Sequence, residues 1–294
     1  MSEAAHMCGH DGHITCLIGG LAKVLEKREI IPNNCTLRAI FQPGEEGCGG
    51  ATIMINDGVL EGVDEIYGLH NVPWENVGEV FVKLSFMMAA IDKITFTVKG
   101  KGGHSSLIHE LVNPVYGASL INVKIDEMIR SKYSKDFPSK LRISFPQMQT
   151  ASACNVIPDQ SVLIGTLRIF DQNLRKQINS DIQSIVKEIE KETGCSVDIE
   201  VFPVAKSPVN NDQKLTEKFI EMLNGEVSKE GLPIFASEDF ADYQERIPGV
   251  FFFLGGGKKS GENLHVDNYN FNDEIIERAA DIYFEIVESR FKDF

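Results

Sequence analysis

From Ile91 to Gly100 the sequence reads IDKITFTVKG, with Ile94, Phe96 and Val98 alternating with Thr95 and Thr97. Strict alternation marks a strand with one buried face and one wetter face. On either side of this region the texture differs. TLRAIF (Thr36 to Phe41) and VFFFLGGG (from Val250) are continuous apolar runs, the pattern of short strands buried on both faces. A chain that passes from continuous to alternating strands and back is most simply an α/β domain interrupted by an inserted domain.

The insert has its own order. After the first alternating strand, Asn113 caps a helix with Pro114 at its first position. SVLIGTLRIF is a second alternating strand. Leu174, Ile178, Ile182, Ile185, Val186 and Ile189 then follow at helical spacing until Gly194 stops the helix, and VDIEVF is a third strand. This series predicts a split βαβ, ferredoxin-like α+β domain over residues 91–205, with residues 1–90 and 206–294 forming the outer α/β domain.

In the outer domain, Ile14, Leu17, Ile18, Leu21 and Leu25 share one face of a predicted helix, Leu215, Phe219 and Leu223 another. Ser237 in ASEDFADY opens a third helix, where Asp239 reads as a cap. Asn272 opens a last helix carrying Ile275, Ala279, Ile282 and Ile286.

Chemistry concentrates at AAHMCGHDGH, where His6, Cys8, His10, Asp11 and His13 crowd the turn before the first helix, although the chain has only 7 histidines. Thiolate, imidazole and carboxylate are the usual ligands of borderline divalent metals. Glu45 and Glu46 follow the predicted strand TLRAIF, and His70 closes another, EIYGLH. Strand ends of this kind are where open α/β sheets place their sites. Adjacent carboxylates repel unless a cation lies beside them, although a solvated loop tolerates such a pair too.

Composition narrows the setting. With 29 Lys and Arg against 43 Asp and Glu the net charge is −14, a field that repels nucleic acid and anionic membranes and gathers cations. No apolar run reaches the length of a membrane span. The 6 cysteines follow no repeating spacing, which fits reduced thiols in a cytoplasmic protein.

The segments AHMCGHDGH, IFQPGEEGCGGA, GLHNVP, GKGGHSS, NVIPD, GTLRIF, ASEDFADY and NLHVDNYNFND stand in the order of a dimetal amidohydrolase family. The sequence resembles hippurate hydrolases, N-acyl-amino-acid amidohydrolases and auxin-conjugate hydrolases along nearly its whole length. The resemblance implies a metal-bearing α/β catalytic domain of the phosphorylase/hydrolase-like kind with an inserted lid and dimerisation domain. It implies two divalent ions, zinc or manganese foremost and cobalt or nickel as alternatives, held by Cys8, His10, Glu46, His70 and His265. Glu45 matches the general base. His104 matches an electrophilic group reaching the scissile carbonyl from a partner subunit, and Asn155 and Arg168 match the residues holding the substrate carboxylate.

Arg168 also shares parity with Val162, Ile164 and Thr166 on the second alternating strand. Asp11 and His13 are candidates to support the ligands, and Phe86, Met87, Met88 and Leu107 to wall the pocket. The implied activity is hydrolysis of N-acyl amino acids by a homodimer. The alternatives are a carboxypeptidase-like peptidase of the same clan and a non-catalytic paralogue that binds metal or dimerises. Family members carry further elements ahead of the Cys/His motif, so the resemblance predicts a fold truncated at its N-terminal side, with apolar surface and unpaired backbone exposed.

Overall fold

In the computed structural model, residues 6–151, 153–257 and 263–292 are described. They form two compact units. One combines the chain up to Met87 with Val209–Ile234 and the chain from Asp239 onward; the other comprises Met88–Pro208 and Phe235–Glu238.

In the first unit, α1 (His10–Glu26), α2 (Glu45–Cys48) and α3 (Gly50–Asn56) precede β1 (Ile66–Val72), β2 (Val80–Phe81) and β3 (Ser85–Phe86). After the second unit come β10 (Asn210–Asn211), α6 (Gln213–Met222), α7 (Phe240–Gln244), β11 (Gly249–Gly255) and α8 (Ile276–Phe291). β11 is central. It runs parallel to β1, from Ile66 opposite Gly249 to Val72 opposite Gly255, and antiparallel to β2. Every residue of β11 is buried, as its unbroken apolar run requires. Phe252 packs on Phe219 of α6 and Tyr283 of α8, and Phe251 packs on Phe240 of α7.

Two expectations fail in this unit. TLRAIF forms no strand: Thr36 to Phe41 pair with no strand among the described residues, and Leu37 and Phe41 are exposed. An apolar run becomes a buried strand only where a neighbouring ladder takes up its backbone groups. The second failure is the buried face of α1. The helix buries Gly12, Cys16, Gly20 and Val24, while Ile14, Ile18 and Leu25 stay exposed. A methyl group on Gly12 would lie 2.4 Å from the Phe271 ring, and one on Gly20 2.6 Å from the Tyr283 Cβ. The helix docks through its smallest residues, which let its backbone approach α8 and the Phe271 ring closely.

The second unit carries β4 (Ala90–Lys99), β5 (Gly103–His104), α4 (Pro114–Lys132), β6 (Leu141–Gln149), β7 (Val156–Ile157), β8 (Gln160–Ile169), α5 (Gln172–Thr193) and β9 (Ser196–Ala205). Its sheet is antiparallel in the order β6-β8-β4-β9, the ferredoxin-like arrangement. Ile94, Phe96 and Val98 are fully buried with Ile121, Ile125 and Ile178 from the helices, and Thr95 and Thr97 face the other way. Asn113 caps α4 by accepting from Val115 N at 3.0 Å, and Gly194 ends α5 at φ 74°. β6 is the strand the sequence pattern does not announce. Its pairing slips between Ser144 and Gln147, where Pro146 interrupts the LRISF alternation. Gly165 of β8 sits against this bulge, because a Cβ there would lie 2.1 Å from Ser144 O.

No helix among the described residues is long and apolar enough to cross a membrane, and all six cysteines are free thiols.

Candidate metal centre

The candidate ligands reach one place from four parts of the chain. Cys8 precedes α1, and His10 opens it, one residue past Gly9 with its left-handed φ of 82°. Thus His10, Asp11 and His13 lie in the first helical turn rather than in the loop before it. Glu45 and Glu46 open α2, His70 lies near the carboxyl end of β1, and His265 lies in the loop after β11. Cavities at the carboxyl ends of parallel strands are the usual ligand position in such sheets.

The donor atoms are close. Cys8 Sγ stands 3.3 Å from His70 Nε2 and 3.1 Å from His265 Nε2. His10 Nε2 lies 3.9 Å from Glu45 Oε2 and 3.8 Å from Glu46 Oε1, while His265 Nε2 lies 3.6 Å from Glu46 Oε1. Bonds of roughly 2.0–2.3 Å to one tetrahedral ion put its ligands about 3.3–3.8 Å apart, so the donor set has the right span and chemistry for metal. Three groups of these residues, Cys8 with His10 and His70, Cys8 with Glu46 and His265, and His10 with Glu45 and Glu46, have ligand atoms all within 4.8 Å of one another. The first two share the sulfur.

The hydrogen bonding also fits. His70 Nδ1 donates to Asn71 O at 2.7 Å, which leaves Nε2 as a bare lone pair aimed at the thiol. A ring nitrogen tied to a carbonyl while its partner nitrogen faces a shared point is the usual arrangement of a metal-binding histidine. Burial holds His70 neutral by lowering its pKa to about 4, and burial also lowers those of His10 and His13.

Glu45 differs from its neighbour. Burial, then the charges of Asp239 and Glu46, push its carboxyl up to about 7, which suits a group that takes and returns a proton near neutrality. Asp239 is more than a helix cap. Its carboxylate makes no capping bond to α7 but accepts from Gln42 Nε2 at 2.8 and 2.9 Å and from Ala51 N at 3.0 Å, bracing the turn that carries Glu45 and Glu46. The helix of ASEDFADY accordingly starts at Phe240, after Ser237.

The remaining candidates belong to the second unit. Exposed His104, in β5, pairs with Val156 of β7, and Ser105 N donates to Asn155 O at 3.0 Å, so His104 and Asn155 are neighbours. Ser106 N donates to His104 Nδ1 at 3.3 Å, leaving Nε2 to carry the proton outward. Arg168 stands at the other end of β8, donating to Phe235 O at 2.6 Å. Eight residues of strand, about 26 Å at the rise of a β-strand, separate it from Gln160 at the end of β8 that follows Asn155 in sequence. Of the residues expected to wall a pocket, Met87 and Met88 are buried in the fold and Leu107 is exposed.

Sequence reasoning missed Asn71 and Tyr269. Asn71 Nδ2 donates to Tyr269 OH at 2.7 Å, and Asn71 Oδ1 lies 2.7 Å from His13 Nε2. The available signals were a polar residue beside the candidate ligand His70 in a mostly apolar strand and the place of Tyr269 in NLHVDNYNFND.

The chain is similar along most of its length to known proteins. The profile of peptidase family M20/M25/M40 matches residues 2–289. An N-acetylcysteine deacetylase of Bacillus subtilis is 31% identical over 96% of this chain and 73% of its own length, and a hippurate hydrolase of Campylobacter jejuni is 33% identical over 95% and 72%. A second B. subtilis protein, an N-acetyl-L-cysteine deacetylase, is 33% identical over 85% of this chain and 59% of its own. The chain thus spans from 59% to 73% of the lengths of these curated relatives. Among solved structures, the YXEP protein of B. subtilis, described as a dinuclear metal binding peptidase, superposes with a TM-score of 0.83 at 28% identity, covering 100% of this chain and 75% of that one.

Proposed function

The chain belongs to peptidase family M20/M25/M40, and from that premise we propose that it is a metal-dependent amidohydrolase releasing a free amino acid from an N-acyl amino acid. The observation that carries this reading is the convergence of Cys8, His10, Glu46, His70 and His265 beside a Glu45 whose carboxyl is poised near neutrality. Those five residues would hold two divalent ions, zinc or manganese, which when bound polarise the scissile carbonyl and acidify a water.

Glu45 takes the proton of the attacking water and hands it to the leaving nitrogen. The His104 Nε2–H donates to the developing oxyanion, a contribution of about 3 kcal/mol for one well-placed donor. Asn155 and Arg168 hold the substrate carboxylate. Arg168 lies toward the far end of β8 from the β5 and β7 pair that carries His104 and adjoins Asn155, which supports a homodimer joined through the second unit, each copy lending His104 and Asn155 to the other's site. Free thiols and the acidic surface support a cytoplasmic setting. A second reading, a metal-binding or dimerising protein without turnover, is favoured by the Thr36 to Phe41 segment, which leads into the Glu45 turn and pairs with no strand among the described residues.

The test is metal analysis of the purified protein with a hydrolysis screen over N-acetyl, N-benzoyl and indole-acetyl amino acids. Glu45→Gln should keep its metal and lose kcat and kcat/KM together, on the order of 10³-fold. Glu46→Gln should lose metal. Two bound ions with no hydrolysis of any substrate would favour the second reading, and equal metal loss in both variants would reduce the pair to a ligand cluster.

A further inference from the structure

His265 sits in the left-handed region at φ 61°, a conformation disfavoured for residues with a Cβ. Such a residue stays there only if its surroundings hold it. One hold is local: His265 N donates to Met7 O at 2.7 Å. The other lies four residues on, where the Tyr269 hydroxyl accepts from Asn71 Nδ2 at 2.7 Å.

Asn71 is 1% exposed and serves three segments at once. Its carbonyl takes the His70 Nδ1–H at 2.7 Å, and its side-chain oxygen and its backbone N–H stand 2.7 and 3.1 Å from His13 Nε2 on α1. The network closes tightly over the turn of Cys8 and His10. A Cβ on Gly9 would lie 2.6 Å from Tyr269 Oη and 2.8 Å from Asn71 Oδ1. A buried amide enclosed this closely has no water to replace a lost partner.

We propose that Asn71, Tyr269 and His13 are positioning residues that hold His265 over Cys8, so that one of the two metal positions depends on the bond between β1 and the loop of Tyr269. The proposal rests on the metal-binding reading given above. It is selective between the two donor groups that share the sulfur. Cys8, His10 and His70 are carried by α1 and β1, whereas Cys8, Glu46 and His265 come together only if the loop is held in place.

The experiment titrates metal-free protein with zinc(II) against a chelator of known affinity, in wild type, Tyr269→Phe, Asn71→Ala and the double variant. The thermal midpoint of each metal-free protein serves as control. Wild type should bind two zinc ions. Tyr269→Phe removes one oxygen atom; it should bind the first ion as wild type does and the second about 10- to 100-fold more weakly, a preference between the ions that the general loss of stability from an unpaired buried amide does not produce. In the Asn71→Ala background the Tyr269→Phe change should add nothing, because the same bond is already gone. If Asn71→Ala does not fold, Tyr269→Phe alone decides. Two ions bound as tightly by Tyr269→Phe as by wild type overturn the proposal, as does equal weakening of both ions together with a lowered midpoint, which would mean a stabilising bond with no preference between the positions. A wild type that binds no zinc overturns the metal-binding reading, and the proposal falls with it.

Discussion

The two units bury different things. The second packs Phe96, Ile121, Leu163, Leu167 and Ile182 between one sheet face and two helices, and its buried charge, Asp92, is matched by a bidentate contact from Arg175. The first buries the aromatic run of β11 but also encloses His13 and His70, held neutral by burial, and much of Glu45, whose carboxyl burial pushes up to about 7. It leaves Ile14, Ile18, Leu25 and Phe41 in the open. Apolar burial stabilises the second unit at any pH. The first spends part of its interior on groups that would rather be charged, so its stability should follow metal, and should follow pH near neutrality where that of its neighbour, whose paired carboxylates titrate only at lower pH, does not.

The largest test of that contrast is Phe96→Ala. Emptying this fully buried position should cost the second unit about 3–5 kcal/mol, read by hydrogen exchange of the β4 and β8 amides under urea, with zinc affinity unchanged. Loss of zinc binding in the same variant would break the separation between the two units.

Next in size is the acid limb of the metal-free protein. His70 has a folded pKa depressed to about 4 from 6.5, so the unfolded chain takes up its proton first as pH falls. Stability from the neutral ring is complete above pH 6.5 and drains away down to about pH 4, a loss of about 3 kcal/mol, with His13 adding in the same direction. Glu45 acts oppositely. Its raised carboxyl pKa favours the folded state at low pH, and that contribution fades as pH rises from about 4.5 to 7. The His70 and Glu45 contributions are about equal and opposite and largely offset, so it is His13 and His10, both lowered by burial, that should make exchange protection in β1 and β11 fall between pH 6.5 and 4 while that in β4 and β8 holds. Equal loss in both sheets would erase the distinction, and added zinc should shift the first unit's acid limb to lower pH.

The smallest effect belongs to the exposed face of α1. Ile18→Lys and Leu25→Lys should change stability by no more than about 0.5 kcal/mol, since neither side chain is buried, but should reduce self-association seen by light scattering. A cost of several kcal/mol would show that this face is covered in solution.

The same contrast explains what could be read from sequence. Elements of the second unit announced themselves, because Ile94, Phe96 and Val98 alternate in one strand, Asn113 precedes Pro114, and Gly194 follows an apolar helix stripe. β6 escaped because Pro146 and the adjoining bulge shift its parity halfway. In the first unit, helical periodicity selected the wrong face of α1, since glycine contributes nothing to an apolar pattern yet permits the closest packing. The candidate donor residues that the structure brings together were legible through their motifs, because few residue types suit divalent metals. The bond from Asn71 to Tyr269 was not, because no local pattern reports a partner on a distant loop.

The pairing of β4 with β9 carries a consequence for how the molecule assembles. These are the first and last strands of the inserted unit, aligned from Ile91 opposite Ala205 to Lys99 opposite Ser196, and just beyond them Met87 N donates to Val209 O at 2.9 Å. An insert that folds on its own therefore delivers the returning chain back to where it left. For the parallel pairing of β1 with β11, the long excursion is then replaced by a short effective loop, and its closure entropy falls accordingly. Variants that weaken the insert should slow the capture of zinc during refolding, even where the final affinity is untouched.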